Sequence, residues 1–311
     1  MIHGVINIYK EKGFTSHDVV AKLRGILKQK KIGHTGTLDP DAEGVLPVCL
    51  GKATKLCDML TDKDKTYETV LLLGQVTDTQ DISGQILEEH STGHLTEEMV
   101  REAILSFAGE YDQIPPMYSA LKVNGKKLYE LAREGKEVER KPRKVTIYQI
   151  IIKEMNLPRV RMEVKCSKGT YIRTLCHDIG MKLKCGGCME SLLRTQVERF
   201  TIEYSRKLSD VENHFKEQTL DEIIIPIDKM FENLKAVTLT AEAAHAVCNG
   251  NGFQKKGINA AISDSMENAE FIDAERVRVY GEDGSFIAIY EYRQKTDDFK
   301  IVRMFFDGRE Q

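Results

Sequence analysis

One carboxylate stands apart in this chain. Asp39 lies in Gly33-His34-Thr35-Gly36-Thr37-Leu38-Asp39-Pro40, a run closed by Gly44-Val45-Leu46-Pro47. Gly36 permits backbone angles that other residues avoid, and Pro40 disfavours helical geometry at the aspartate itself. An acid on so bent a loop is displayed rather than packed. Glycosyl hydrolysis of the usual kind needs a second carboxylate across the bond, and the next candidates are Asp78 and Asp81. Their segment, Thr77-Asp78-Thr79-Gln80-Asp81-Ile82-Ser83-Gly84, lacks EF-hand spacing and the bidentate Glu at the twelfth loop position. A turn in which each Asp bonds its own backbone is expected there. Cys185-Gly186-Gly187-Cys188 offers two thiols with no second ligand pair, so no metal is expected. Ser16-His17-Asp18 carries triad letters, but adjacent residues on a helix face different ways. The chain has no Gly-x-Ser-x-Gly elbow, Walker loop or His-Glu-x-x-His.

The elements that must carry this loop are legible in outline. Ile6 to Ile8 is a short strand, and Thr15 and Ser16 can cap a helix with Val19, Val20, Leu23, Ile26 and Leu27 at helical spacing. Tyr67 to Leu73 reads as a buried strand ending at Gly74. Thr96 caps a second helix with Val100, Ala103, Ile104 and Phe107 on one face. Val145 to Lys153 and Arg159 to Cys166 read as paired strands. Lys168-Gly169-Thr170 then turns the chain into a helix striped by Tyr171, Ile172, Leu175, Ile179 and Leu183. This mixed order predicts an α+β fold. Residues 203 to 235 read as an acidic boundary segment. Beyond them a helix from Ala241 to Val247 and strands at Arg276 to Tyr280, Phe286 to Tyr292 and Lys300 to Phe306 predict a small β-rich domain. The loop from Gly257 to Asp273 is polar and acidic. The expected division is residues 1–233 and 234–311.

Charge is distributed unevenly around a net of −3. Lys10 to Lys31 holds seven Lys or Arg against Glu11 and Asp18, and Lys122 to Lys144 holds nine against four Glu. Ser209 to Glu232 reverses the sign, with seven Asp or Glu against Lys216 and Lys229. Two basic stretches offset by acid elsewhere fit a polyanion-binding face, or equally two solvated helix faces. The chain has no long apolar run, and Met1-Ile2-His3-Gly4 opens no export signal; with seven scattered Cys, a cytoplasmic protein with reduced thiols is expected.

Six motifs in order carry a resemblance. His34 to Pro47 resembles the aspartate motif of TruB-type tRNA pseudouridine synthases, and Gly13-Phe14-Thr15-Ser16-His17-Asp18-Val19-Val20 resembles that family's N-terminal motif. Lys65-Thr66-Tyr67 with Leu73-Gly74 is similar to its tyrosine strand. Pro115-Pro116-Met117-Tyr118-Ser119-Ala120-Leu121-Lys122 and Tyr129-Glu130-Leu131-Ala132-Arg133 resemble the segment of its tRNA uridine-55 branch. Cys166-Ser167-Lys168-Gly169-Thr170-Tyr171-Ile172-Arg173 resembles its arginine motif, and Leu192-Leu193-Arg194-Thr195 its leucine motif. The C-terminal part resembles a PUA-type RNA-binding module more loosely.

The resemblance implies a mixed, largely antiparallel catalytic sheet and an isomerase. It would flip a uridine out of the tRNA T-arm, break its N1–C1′ bond, rotate the base and rebond it through C5. Asp39 would attack the sugar, attack the base or abstract a sugar proton. Arg173 would pair with Asp39 and favour its ionised form. Tyr67 would stack on the base and help remove the C5 proton. By itself Arg173, one residue past Ile172, would point off the helix stripe, and Tyr67 would be core or rim. His34 and Thr37 would contact the substrate, Leu193 would form an apolar wall, and Lys10, Lys122 and Arg143 would meet phosphates. No cofactor, no membrane and a monomer are expected. Glu11 stands where the family usually has proline, and Cys188 where it often has histidine. Asp41 and Glu43 would repel RNA or raise the pKa of Asp39 if they pointed inward, so both are expected to face solvent. A non-catalytic tRNA-binding module and a metal-dependent nuclease are the competing readings. The first has no use for a lone carboxylate, and the second lacks its carboxylate cluster.

Overall fold

The structure, a computed structural model, describes residues 1–259 and 270–306. The chain enters through β1 (Gly4–Lys10) and turns into α1 (Ser16–Ile26), capped by Thr15 and Asp18 in a reciprocal capping box. Then come β2 (Ile32–His34), the Asp39 loop and β3 (Glu43–Leu50). A short α2 (Cys57–Thr61) leads to β4 (Lys65–Leu73), whose residues alternate between buried and half-buried as a strand covered on one face requires. The hairpin β5 (Gln75–Thr77) and β6 (Ile86–Glu89) holds the Asp78–Asp81 turn, and α3 (Glu97–Leu105) starts at Thr96 as its cap predicts. After β7 (Gly109–Gln113) come a small hairpin, β8 (Lys122–Val123) and β9 (Lys126–Lys127), and α4 (Leu128–Arg133). The long pair β10 (Arg143–Asn156) and β11 (Arg159–Cys166) precedes α5 (Ile172–Lys182), β12 (Gly187–Val197) and β13 (Phe200–Thr201).

These strands form one sheet in the order β1-β3-β12-β4-β11-β10-β7, with β2 beside β3 and β13 beside β12. Its pairings are antiparallel except between β3 and β12, where Leu193 faces Glu43 and Arg194 faces Gly44. That joint is tight: at Gly44, with φ +107°, a Cβ would sit 2.2 Å from the Arg194 carbonyl oxygen. Only glycine allows the approach. α1 covers Ile6, Ile8, Leu46 and Val48, while α3 and α5 cover Tyr67, Leu71, Met162 and Val164.

The segment read as a boundary is instead part of this layer. Its α6 (Leu208–Glu217) packs Leu208 and Val211 into the core beneath α1, and Val5 and Ile225 exchange two 2.9 Å backbone hydrogen bonds along the edge of β1. The acidic side chains sit on its outer face, which the composition could not separate from a linker. The second sheet runs β14-β16-β17-β18-β15, from β14 (Lys235–Thr238), β15 (Phe253–Gln254), β16 (Arg276–Tyr280), β17 (Phe286–Arg293) and β18 (Asp298–Met304), with α7 (Ala241–Cys248) against it. Two of its strands, β14 and β15, are too short to be read from sequence. Residues 260–269 of the expected acidic loop lie outside the described residues. Phe286 and Phe305 pack on Phe231, with the Phe231 and Phe305 rings 5.9 Å apart, so one apolar cluster joins the two sheets.

Ser16, fully buried at the start of α1, ties that helix to the aspartate loop: its Oγ accepts from the Leu38 amide at 2.9 Å. Ser16→Ala leaves a buried amide without a partner, a loss of about 1–3 kcal/mol. Urea unfolding should show that loss; an unchanged midpoint would mean that the loop holds itself.

Candidate active site

Asp39 reaches its place because its loop is held at nearly every residue. Gly36, at φ +123°, takes the turn that only glycine takes freely. Its carbonyl accepts from Arg194 Nη2 at 3.3 Å. The Leu38 amide is held by Ser16, and the Pro40 carbonyl accepts from the Gly13 amide at 3.0 Å and from Lys10 Nζ at 3.1 Å. The carboxylate itself is half-buried.

Facing it is Arg173. The Lys168-Gly169 turn brings the chain from β11 into α5, and Gln113 grips that entry through Tyr171, accepting from its amide at 2.7 Å and donating to its carbonyl at 3.0 Å. Arg173, in the first turn of α5, is 5% exposed. Its Nε lies 3.1 Å from Asp39 Oδ2. Nη2 donates to the Tyr118 carbonyl at 2.7 Å and Nη1 to the Thr79 carbonyl at 3.1 Å, with Asp81 Oδ2 3.7 Å from Nη1. The surface position that its neighbour Ile172 suggested is therefore not the one it takes: the first turn of α5 faces Asp39. Asp81 does form the expected turn, with Oδ1 accepting from the Ser83 amide at 3.0 Å, but its other oxygen serves the arginine.

Tyr67, at the start of β4, is almost fully buried, and its hydroxyl meets the Arg194 guanidinium. Arg194 is 1% exposed; its Nε donates to the Val45 carbonyl at 2.7 Å. One side chain thus joins Tyr67, the aspartate loop and β3. Sequence reading passed over Arg194, although an arginine between Leu193 and Val197 of a core strand was the available signal. Leu193 itself is half-buried beside it.

Arg173 favours the ionised form of Asp39, as expected, but burial acts against it. Burial raises the Asp39 pKa, and Arg173 opposes that rise without overcoming it; Asp81 adds to the rise. The Tyr67 phenol is likewise raised by burial. Burial lowers the pKa of His34, leaving a neutral imidazole, edge-on to His17 with ring centroids 5.4 Å apart.

Lys10 departs from expectation. It is 0% exposed, and its ammonium is consumed by the carbonyls of Phe14 at 2.6 Å, Pro40 at 3.1 Å and Glu11 at 3.3 Å. Burial brings its pKa down to about 8. So placed, it braces the loop and presents nothing to a phosphate. Lys122 on β8 and Arg143 at the start of β10 are exposed, as is Thr37. Asp41 faces solvent, but Glu43 is half-buried and accepts from the Tyr9 hydroxyl at 3.1 Å, so it is paired rather than turned outward. The two cysteines Cys185 and Cys188 are both buried, and the Cys185 thiol donates to backbone carbonyls. Among the described residues no helix is long and apolar enough to cross a membrane.

A mixed sheet that brings a carboxylate, an arginine and a buried tyrosine close together defines the class, and comparison with known proteins names it as pseudouridylate synthases. Residues 24–172 match the family model described as TruB family pseudouridylate synthase (N terminal domain). Residues 173–232 match the tRNA pseudouridylate synthase B C-terminal domain. The chain is 53% identical to tRNA pseudouridine synthase B of Lachnoclostridium phytofermentans, over 98% of this chain and 100% of that one. It is 44% identical to tRNA pseudouridine synthase B of Clostridium perfringens, over 97% and 99%. Among solved structures it is similar to an H/ACA RNP bound to a substrate RNA containing 2′-deoxyuridine, with TM-score 0.70 and 26% identity over 99% of this chain and 86% of that one. A Cbf5-Nop10-Gar1 complex is similar too, with TM-score 0.70 and 28% identity over 97% and 84%. The chain belongs to the TruB family.

Two outcomes follow from this geometry. If Asp39 is the acting carboxylate it works ionised, and with its pKa raised kcat/KM should fall with decreasing pH along a limb that lies above the ordinary aspartate value of about 3.9. A limb at or below that value contradicts the assignment. Lys10→Met should reduce turnover while tRNA affinity and its salt dependence stay near wild type, since no phosphate contact is lost. A weaker and less salt-sensitive complex would restore Lys10 to the phosphate contacts.

Proposed function

We propose that this chain isomerises the uridine at position 55, in the T-arm of tRNA, to pseudouridine, as a cytoplasmic monomer. The observation that carries the reading is the Asp39 carboxylate held by Arg173 at 3.1 Å on a loop braced from three sides. In the reaction the N1–C1′ bond breaks, the base turns, C5 bonds to C1′, C5 loses its proton and N1 gains one. Asp39 acts at the sugar or the base, and its alignment rests on Arg173. Tyr67 supports the base from below through its ring, and Leu193 closes the wall. His34, half-buried, and Thr37, exposed, meet the nucleotides that flank the flipped one. Lys122 and Arg143, both exposed, take phosphates of the arm. Residues 1–233 carry the chemistry, and the sheet beyond residue 234 is a PUA-like module that contacts RNA outside the target loop.

Release of tritium from tRNA transcribed with 5-tritiated uridine tests this, since the rebonding at C5 expels that hydrogen. Wild type should release tritium with chelator present, and Asp39→Asn should release none while binding tRNA nearly as well. Nucleoside mapping should place the product at position 55. Release by Asp39→Asn at the wild-type rate would overturn the role of the carboxylate, and release only without chelator would favour a metal.

A further inference from the structure

A cleft of about 290 Å³ opens where β1 and β13 meet the chain at 204–206 and 222–225. It uses none of the residues that the reaction needs. Asn7 forms its depth and is 5% exposed. The Asn7 Nδ2 donates to the Thr201 carbonyl at 2.8 Å, which fixes the amide orientation because a carbonyl can only accept. The other end, Oδ1, is buried and meets no donor among the described residues. A buried acceptor of that kind is costly unless something donates to it. At the mouth stands Tyr204, 75% exposed, the side of an aromatic plate open to solvent.

The charged groups complete the pattern. Arg199 donates to the Lys229 carbonyl at 2.8 Å and Arg206 to the Ser205 carbonyl at 3.4 Å. Neither guanidinium meets a carboxylate among the described residues, so both keep their charge for an anion. Glu222 lines the same cleft and is exposed. A plate for stacking, one acceptor in the depth and two guanidiniums without a carboxylate partner match the three parts of a nucleotide: π-face, amino edge and phosphate. A volume near 290 Å³ is at the small end of ligand clefts and suits one base rather than a longer chain.

We propose that this cleft holds one unpaired nucleotide of the bound tRNA, separate from the target uridine, with its base on Tyr204 and an exocyclic amino group on Asn7 Oδ1. Adenine, guanine and cytosine carry that group, whereas uracil offers the acceptor only its ring N3–H. The inference rests on tRNA being the substrate.

The test uses the full chain with unmodified tRNA. Tyr204→Ala should weaken tRNA binding about tenfold in filter-binding titrations, the scale of one lost base–aromatic stack. Its kcat for tritium release at saturating tRNA should equal wild type. Tyr204→Phe, which keeps the ring, should bind as wild type does, and ultraviolet crosslinking should join a nucleotide to the peptide containing residues 199–206. Wild type that releases tritium, together with Tyr204→Ala that binds as tightly and no crosslink to that peptide, would overturn the cleft alone. Wild type that releases no tritium would overturn the functional reading on which the cleft rests.

Discussion

The ion pair between Asp39 and Arg173 is the constraint around which this molecule is arranged. An arginine 5% exposed must have every nitrogen answered, since a buried guanidinium without partners is far too costly to persist. Asp39, Tyr118, Thr79 and Asp81 answer it, and they come from three separate stretches of chain. Folding α5 against the sheet therefore draws the aspartate loop, the β5–β6 turn and the 115–122 segment to one point. The pair gives orientation more than acidity: burial and Asp81 hold the Asp39 pKa up despite the arginine.

A loop that displays a carboxylate cannot lie in a ladder, so its backbone groups must be paired by other means. This explains three buried polar side chains that would otherwise be anomalous. Ser16 takes the Leu38 amide, Lys10 takes the Pro40 carbonyl and Arg194 takes the Gly36 carbonyl. Each comes from a different element, α1, β1 and β12, so the loop inherits the rigidity of the core. Arg194 also carries Tyr67 on the same guanidinium, which couples the tyrosine to the aspartate loop. The glycine at position 44 lets β12 approach β3 closely enough for that contact.

Much of this was legible in the residues. The capped α1, the alternating β4, the β10–β11 pair and the glycine turn into α5 all follow from caps, period and breakers, which are local signals. Asp39 was visible because its loop composition is unusual, and Arg173 and Tyr67 because the ordered motifs resemble a known family. What remained hidden depends on contacts across the fold. Lys10 reads as a surface cation, and only the three carbonyls around it show otherwise. Arg194 belongs to the Leu192–Thr195 motif, but its inward direction is set by the parallel joint with β3. The acidic face of α6 resembled a linker because charge on one side of a helix and charge in a coil look alike in composition.

The central claim is that Arg173 holds the Asp39 carboxylate in place and in charge. Titration of Asp39 by carboxyl carbon-13 NMR, in wild type and in Arg173→Met, tests it most directly. Wild type should titrate above the ordinary aspartate value, and Arg173→Met should titrate higher still, since burial would then act without its opposing charge. An Asp39 that titrates identically in the two proteins would contradict the pairing and, with it, the alignment on which the chemistry depends.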